Sequence, residues 1–120
     1  MTLAQLLFTF DGRIGRKAWW FASVVLIAAE LSASILDWVL VGRQSGVLSL
    51  IVGVVSFVAT VAICIKRFHD RDKSGWWLLI LFVPLVGFVW ILIENGFLRG
   101  TEGSNRFGPD PHGPAWLPRA

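Results

Sequence analysis

The residues of this chain best suited to chemistry are Arg13, Arg16, Lys17, Lys66, Arg67, His69 and Asp70. An imidazole next to a carboxylate is raw material for acid–base chemistry, and guanidinium groups recognise phosphate and carboxylate. The spacing argues against catalysis. Neighbours on a helix point about 100° apart, so His69 and Asp70 make no oriented dyad. Ser74 is the one hydroxyl in the same stretch, and His112 lies far off in the tail. No catalytic set, metal site or cofactor is therefore expected. The reading left for Arg13, Arg16, Lys17, Arg67, His69 and Asp70 is a basic surface for lipid phosphate, a specific anion or a partner protein.

Glu30 raises a different question, because it interrupts an apolar run. Twelve residues in from Ala18, at 1.5 Å each, it sits about 18 Å deep in a membrane helix. A charged carboxylate there costs about 2.5–3.5 kcal/mol, so Glu30 should face other helices. Equal depth on the later runs falls at Gly53 to Ser56 and at Pro84 to Gly87. Pro84 cannot donate to the Ile80 carbonyl. The expectation is a neutral Glu30 donating to the backbone near that break. A role in moving protons or ions, or contact with a partner, stays open. Asp37 and Glu94 read as interfacial charges on the far side, near Arg43 and Arg99.

The elements that must carry these residues follow from composition. The chain has 120 residues, 55% hydrophobic and 16% charged, with a mean hydropathy of +0.66. Soluble domains carry about 25% charged residues. A core of this size cannot hide so much apolar surface. Disorder, collagen and a disulfide scaffold are excluded by the same figures, and the single Cys64 lies inside an apolar run. The net charge of +3 comes from basic residues flanking apolar runs. Anionic lipid explains them better than nucleic acid, which is not expected as a partner.

The expected fold is all-α, a polytopic membrane protein with three transmembrane helices. Residues 1–17 form a short amphipathic lead, with Leu3, Leu6, Leu7 and Phe10 on one stripe. The spans cover 18–41, 47–65 and 76–93, each long enough for a hydrocarbon core of about 30 Å. Backbone in lipid must satisfy itself, which selects helices. Arg13, Arg16 and Lys17 ahead of the first run resemble a signal peptide, but Glu30 and the continuation to Val41 favour a retained span. Residues 66–75 form a basic loop, and 99–120 an irregular tail rich in Gly and Pro. Lysine and arginine concentrate before the first span and in 66–75, which puts the N-terminus and that loop in the cytoplasm. Trp19-Trp20 and Trp76-Trp77 mark that face, Trp38 and Trp90 the other. Pro84 and Gly87 leave one alternative: a re-entrant hairpin that returns the tail to the cytoplasmic side. The continuous span is the expectation, because each half of a hairpin is too short to cross. Ser49, Gly53, Ser56 and Thr60 form a stripe of small residues, a seam within the monomer or a face for a homo-oligomer.

Four pieces of sequence resemble a known family. They are Phe10-x-Gly12-Arg13-x-x-Arg16-Lys17-x-x-Trp20; Arg67-Phe68-His69-Asp70 with Lys73-Ser74-Gly75-Trp76-Trp77; Pro84-x-x-Gly87; and Gly100-Thr101-x-Gly103-x-Asn105-Arg106-Phe107-Gly108-x-Asp110-Pro111. In this order they resemble the YhaH-like bacterial inner-membrane proteins, a family defined by a domain of unknown function, number 805. Two departures are Lys66, where the family tends to have arginine, and Arg71-Asp72 in place of a threonine–glycine turn. The resemblance implies a small multipass inner-membrane protein and implies no activity. It also raises a shared polar assembly, built from the lead and the 66–75 loop with the tail's membership left open, as the place to look for function. The resulting expectation is a non-enzymatic accessory or interaction protein whose basic cytoplasmic face meets anionic membrane lipid or a protein partner. The rivals are an oligomeric transport or channel subunit using Glu30 and a small enzyme acting on a lipid phosphate.

Overall fold

The computed structural model describes residues 2–42 and 46–111, so Arg43, His112 and Arg119 lie outside the described residues. The amphipathic lead becomes α1, Leu3–Phe8. A capping box starts it: Gln5 N donates to Thr2 Oγ1 at 3.2 Å, and Thr2 N donates to Gln5 Oε1 at 3.0 Å. Leu6 and Leu7 are buried while Leu3 and Phe8 stay exposed.

Helices α2, Arg16–Val41, and α3, Val47–Asp70, form an antiparallel pair. At 1.5 Å per residue they are about 39 and 36 Å long. Both are long and apolar enough to cross a membrane. They approach closely because Ala22, Ala33, Ala59 and Ala62 are small and buried. Ser49 and Ser34 hydroxyls meet at 3.3 Å. Gly53 faces Glu30, as equal-depth counting expected: a Cβ on Gly53 would lie 3.7 Å from Glu30 Oε2. Ser49 and Gly53 therefore belong to a seam within the monomer, whereas Thr60 is exposed and its hydroxyl bonds back to the Ser56 carbonyl. Gly42 ends α2 in the left-handed region at φ 74°, and its N–H donates to the Trp38 carbonyl. Asp37 caps the start of α3, accepting from Ser49 N at 2.8 Å and Leu48 N at 3.3 Å. It remains at the far end, as expected.

The third apolar run is not the continuous helix expected over 76–93. Gly75–Phe82 is a 3-10 helix, the chain reverses through Val83–Leu85, and α4 follows as Val86–Gly96. With rises of about 2.0 and 1.5 Å per residue, each half is about 16 Å long. The cause is local. Pro84 has no N–H to continue a ladder, and Leu85 adopts φ 64°. Gly87 permits the closure, because a Cβ there would fall 2.0 Å from the Ile80 carbonyl oxygen. That carbonyl accepts from Val83 N at 3.0 Å, not from Glu30 as expected. Glu30 Oε2 is buried without a hydrogen-bond partner. Trp77 and Trp90, expected at opposite faces, stack with centroids 6.2 Å apart and tie the two halves together.

The hairpin returns the chain to the end where α1 and the close of α3 lie. Residues 66–70, expected in a loop, are the last turn of α3. The tail then folds over that turn, closed by an antiparallel bridge between Asn105 and Gly108.

Candidate functional site: a polar cage around Asp70

The last turn of α3 is the most deeply buried part of the molecule, although it carries charge. Lys66, Arg67, Phe68 and Asp70 have no exposed surface. Three segments cover them: the link from α1 to α2, the end of α4 and the tail. Each supplies acceptors that the buried cations require.

Asp70 is the centre. Its Oδ1 accepts from Arg13 Nε at 3.1 Å and lies 3.0 Å from Arg13 Nη2. Its Oδ2 accepts from Arg67 Nη1 at 2.7 Å. Its carbonyl accepts from Thr101 N at 2.6 Å, which ties on the tail. Glycine is required at position 100, because a Cβ there would lie 1.8 Å from Asp70 Oδ2.

Both guanidiniums spend their remaining donors on backbone carbonyls. Arg67 Nε donates to Asn95 at 2.6 Å, and Nη2 to Leu98 at 2.5 Å. Arg13 Nη1 donates to Gly103 at 2.6 Å and Gly108 at 3.2 Å, and Nη2 to Thr101 at 2.5 Å. Desolvating such charges is expensive, and only geometry this complete offsets the cost. The consequence is chemical. Arg13, Arg67 and Asp70 come together, but their polar atoms are taken up by one another and by backbone carbonyls.

The other candidates lie around this core. Arg16 donates to the Phe97 carbonyl at 3.0 Å, and Lys17 is exposed on the next position of α2. His69 turns away from Asp70. Its Nδ1 donates to the Gly12 carbonyl at 3.0 Å, and its ring stacks on Phe107 with centroids 4.0 Å apart. Asn105 Nδ2 donates to the His69 carbonyl at 2.9 Å, and Arg106 pairs with Asp72 at 3.1 Å. Glu30 is far from this cluster, in the α2–α3 seam.

Two contributors, Asn95 and Glu94, escaped the reading of the sequence as site residues, and Lys66, counted there with the basic cluster, takes a role the sequence did not show. Lys66 Nζ donates to the Gln5 and Leu6 carbonyls and to Thr9 Oγ1, placing a cation at the negative end of α1. Asn95 supplies its carbonyl to Arg67, while its side-chain amide is buried without a partner. Glu94, expected at the far interface, instead accepts from Arg71 Nε at 2.8 Å and Lys73 Nζ at 2.5 Å. Burial alone would raise the Glu94 carboxyl, but hydrogen bonds from Lys73 and Arg71 hold it below its ordinary value. The signal for Glu94 was the hairpin: once the chain reverses at Pro84, residue 94 must come back beside 71 and 73.

All nine lysines and arginines among the described residues lie at this end: Arg13, Arg16, Lys17, Lys66, Arg67, Arg71, Lys73, Arg99 and Arg106. Among the described residues, no group of three His, Cys, Asp or Glu is arranged to hold a metal ion.

Known proteins resemble this chain in sequence. The chain is 37% identical to inner membrane protein YhaH of Escherichia coli (strain K12), over 85% of this chain and 86% of YhaH. It is 35% identical to inner membrane protein YhaI of the same strain, over 85% of each. It is 30% identical to the uncharacterized protein YiiR, over 92% of this chain and 90% of YiiR. No solved structure matches. The family model described as protein of unknown function (DUF805) matches residues 7–109, a stretch that holds every member of the Asp70 cage, and the chain belongs to that family.

Proposed function

We infer that the chain is a non-enzymatic interaction protein of the bacterial inner membrane, which sets its basic end against anionic lipid at the cytoplasmic surface. The supporting observation is the segregation of charge. All nine cations among the described residues gather at the caged end, and Asp37 caps the other. The positive-inside rule then puts α1, the α3 end and the tail in the cytoplasm. Helices α2 and α3 cross, and the hairpin of the 3-10 helix and α4 dips in from the same side. Each half, about 16 Å, reaches about half of a 30 Å core. The molecule is 54 Å long, more than the 40–45 Å or so of a bilayer with its headgroups, so one end must project.

The cage argues for a scaffold over a catalytic centre. Its carboxylate is held by two guanidiniums, and its imidazole is held by a carbonyl and a phenyl ring. The test is the sidedness of the tail. In a Cys64→Ser background, a single cysteine replaces Ser104, which is exposed; a second variant carries it at Gln44, between α2 and α3. An impermeant thiol reagent on intact spheroplasts should label position 44 and spare 104 until lysis. Labelling at 104 in intact spheroplasts overturns the threading and the cytoplasmic basic face with it.

A further inference from the structure

With Arg13, Arg67 and Lys66 committed internally, the basic end still offers a cleft lined by cations and rings. Arg16, Lys17, Trp20, Gly96 and Phe97 line an open groove of about 390 Å³ between the start of α2 and the end of α4. Its wall is fixed. Trp20 Nε1 donates to the Gly96 carbonyl at 2.8 Å, and a Cβ on Gly96 would fall 2.8 Å from the Trp20 ring. Trp20 meets Trp19 edge-on at 4.9 Å and Phe97 at 5.7 Å. Arg16 reaches from α2 to the Phe97 carbonyl and brings its charge to the rim. Lys17 is exposed there.

The mixture of surfaces identifies the ligand class. Phe97 is 59% exposed and Trp20 38%, so ring surface lies open beside the ammonium group. A small soluble anion has no use for that apolar wall. An amphiphile with a phosphate at its neck uses both. Tryptophan at the mouth of a span also sits at headgroup depth, where that neck lies.

We propose that this cleft binds one anionic phospholipid, its phosphate on Lys17 beside Arg16 and its glycerol and upper acyl carbons on Trp20 and Phe97. The proposal rests on the reading that this end faces anionic lipid and narrows it to one place. The test uses the full chain in neutral detergent, with native mass spectrometry of added phosphatidylglycerol or phosphatidylcholine. Wild type should retain one phosphatidylglycerol in preference to phosphatidylcholine. Lys17→Gln should weaken that binding roughly fivefold, the effect of one cation at an anionic surface. Arg99→Gln removes the same charge from an exposed position on the tail and should leave binding unchanged. Equal losses in the two variants overturn the cleft while the anionic-lipid reading survives. No preference for phosphatidylglycerol in wild type overturns both. Displacement of the lipid by excess inorganic phosphate overturns the lipid assignment and makes the site one for free phosphate.

Discussion

The two ends of the molecule are held by different physics. At the caged end, four stretches of chain meet through charges that have no exposed surface, and each donor of Arg13 and Arg67 noted above finds an acceptor. At the far end, two helices run side by side, their outer faces covered with exposed Val, Leu, Ile and Trp. One carboxylate, Asp37, does the polar work there by capping α3. The far end asks little of its sequence, because lipid accepts any apolar side chain. The caged end asks for particular residues, because a buried charge tolerates no missing partner. Specificity of fold therefore resides where the chain is least apolar.

This contrast can be broken or sharpened by substitution. The largest effect belongs to Asp70→Asn, which leaves two buried guanidiniums without a counter-charge. The expected loss is about 3–5 kcal/mol, read from denaturant unfolding in detergent; a loss below about 1 kcal/mol would dissolve the distinction between the ends. Gly100→Ala drives a methyl into Asp70 and should cost about 1–3 kcal/mol. It should also open the tail to trypsin at Arg99 and Arg106, and a tail as resistant as wild type would show that the close approach does not hold it down. At the far end, Asp37→Ala removes a helix cap and should cost about 1 kcal/mol, with no change in tryptic cleavage of the tail.

Acid should act at the caged end through Glu94. Its carboxyl lies below its ordinary value in the folded protein, 4.5 being the reference. Its contribution is therefore complete above that reference and is lost as pH falls through the lowered folded value. The stability gap between wild type and Glu94→Gln should be present near neutrality and narrow as pH falls below about 4.5. A gap independent of pH would mean that the charge on Glu94 contributes nothing. The smallest effect is expected from Thr60→Ala on the exposed face of α3, within about 0.5 kcal/mol. A larger loss would mean that this face packs against something in the membrane.

Much of the fold was legible in the residues. The boundaries at 18–41 and 47–65 lie close to α2 and α3, because apolar length is what a bilayer reads. The third run misled for the same reason. Eighteen apolar residues are long enough to cross, and hydropathy does not register that Pro84 and Gly87 let the chain double back. A better signal was available in Arg99 and Arg106: a crossing helix would have carried both to the side poor in cations. The cage was legible as a set of residues, through the resemblance, but not as a set of bonds. Arg13 meets its partners at separations of 57 to 95 residues, and no local pattern encodes which carbonyl will receive which donor. Lys66 was counted with the basic cluster, but its place at the end of α1 was not visible, since a lysine after an apolar helix reads as an ordinary membrane-end charge.

The position of the tail within the cage also has a consequence for how the protein is made. The carbonyls of Leu98, Thr101, Gly103 and Gly108 complete the shells of Arg67 and Arg13, and they leave the ribosome after both long helices and the hairpin. Helices α2 and α3 can form while Arg67 and Arg13 still lack these four acceptors, and the polar end closes only once residue 108 has left the ribosome. A chain cut after α4 would keep both long helices and the hairpin and lose four of the carbonyls to which Arg67 and Arg13 donate.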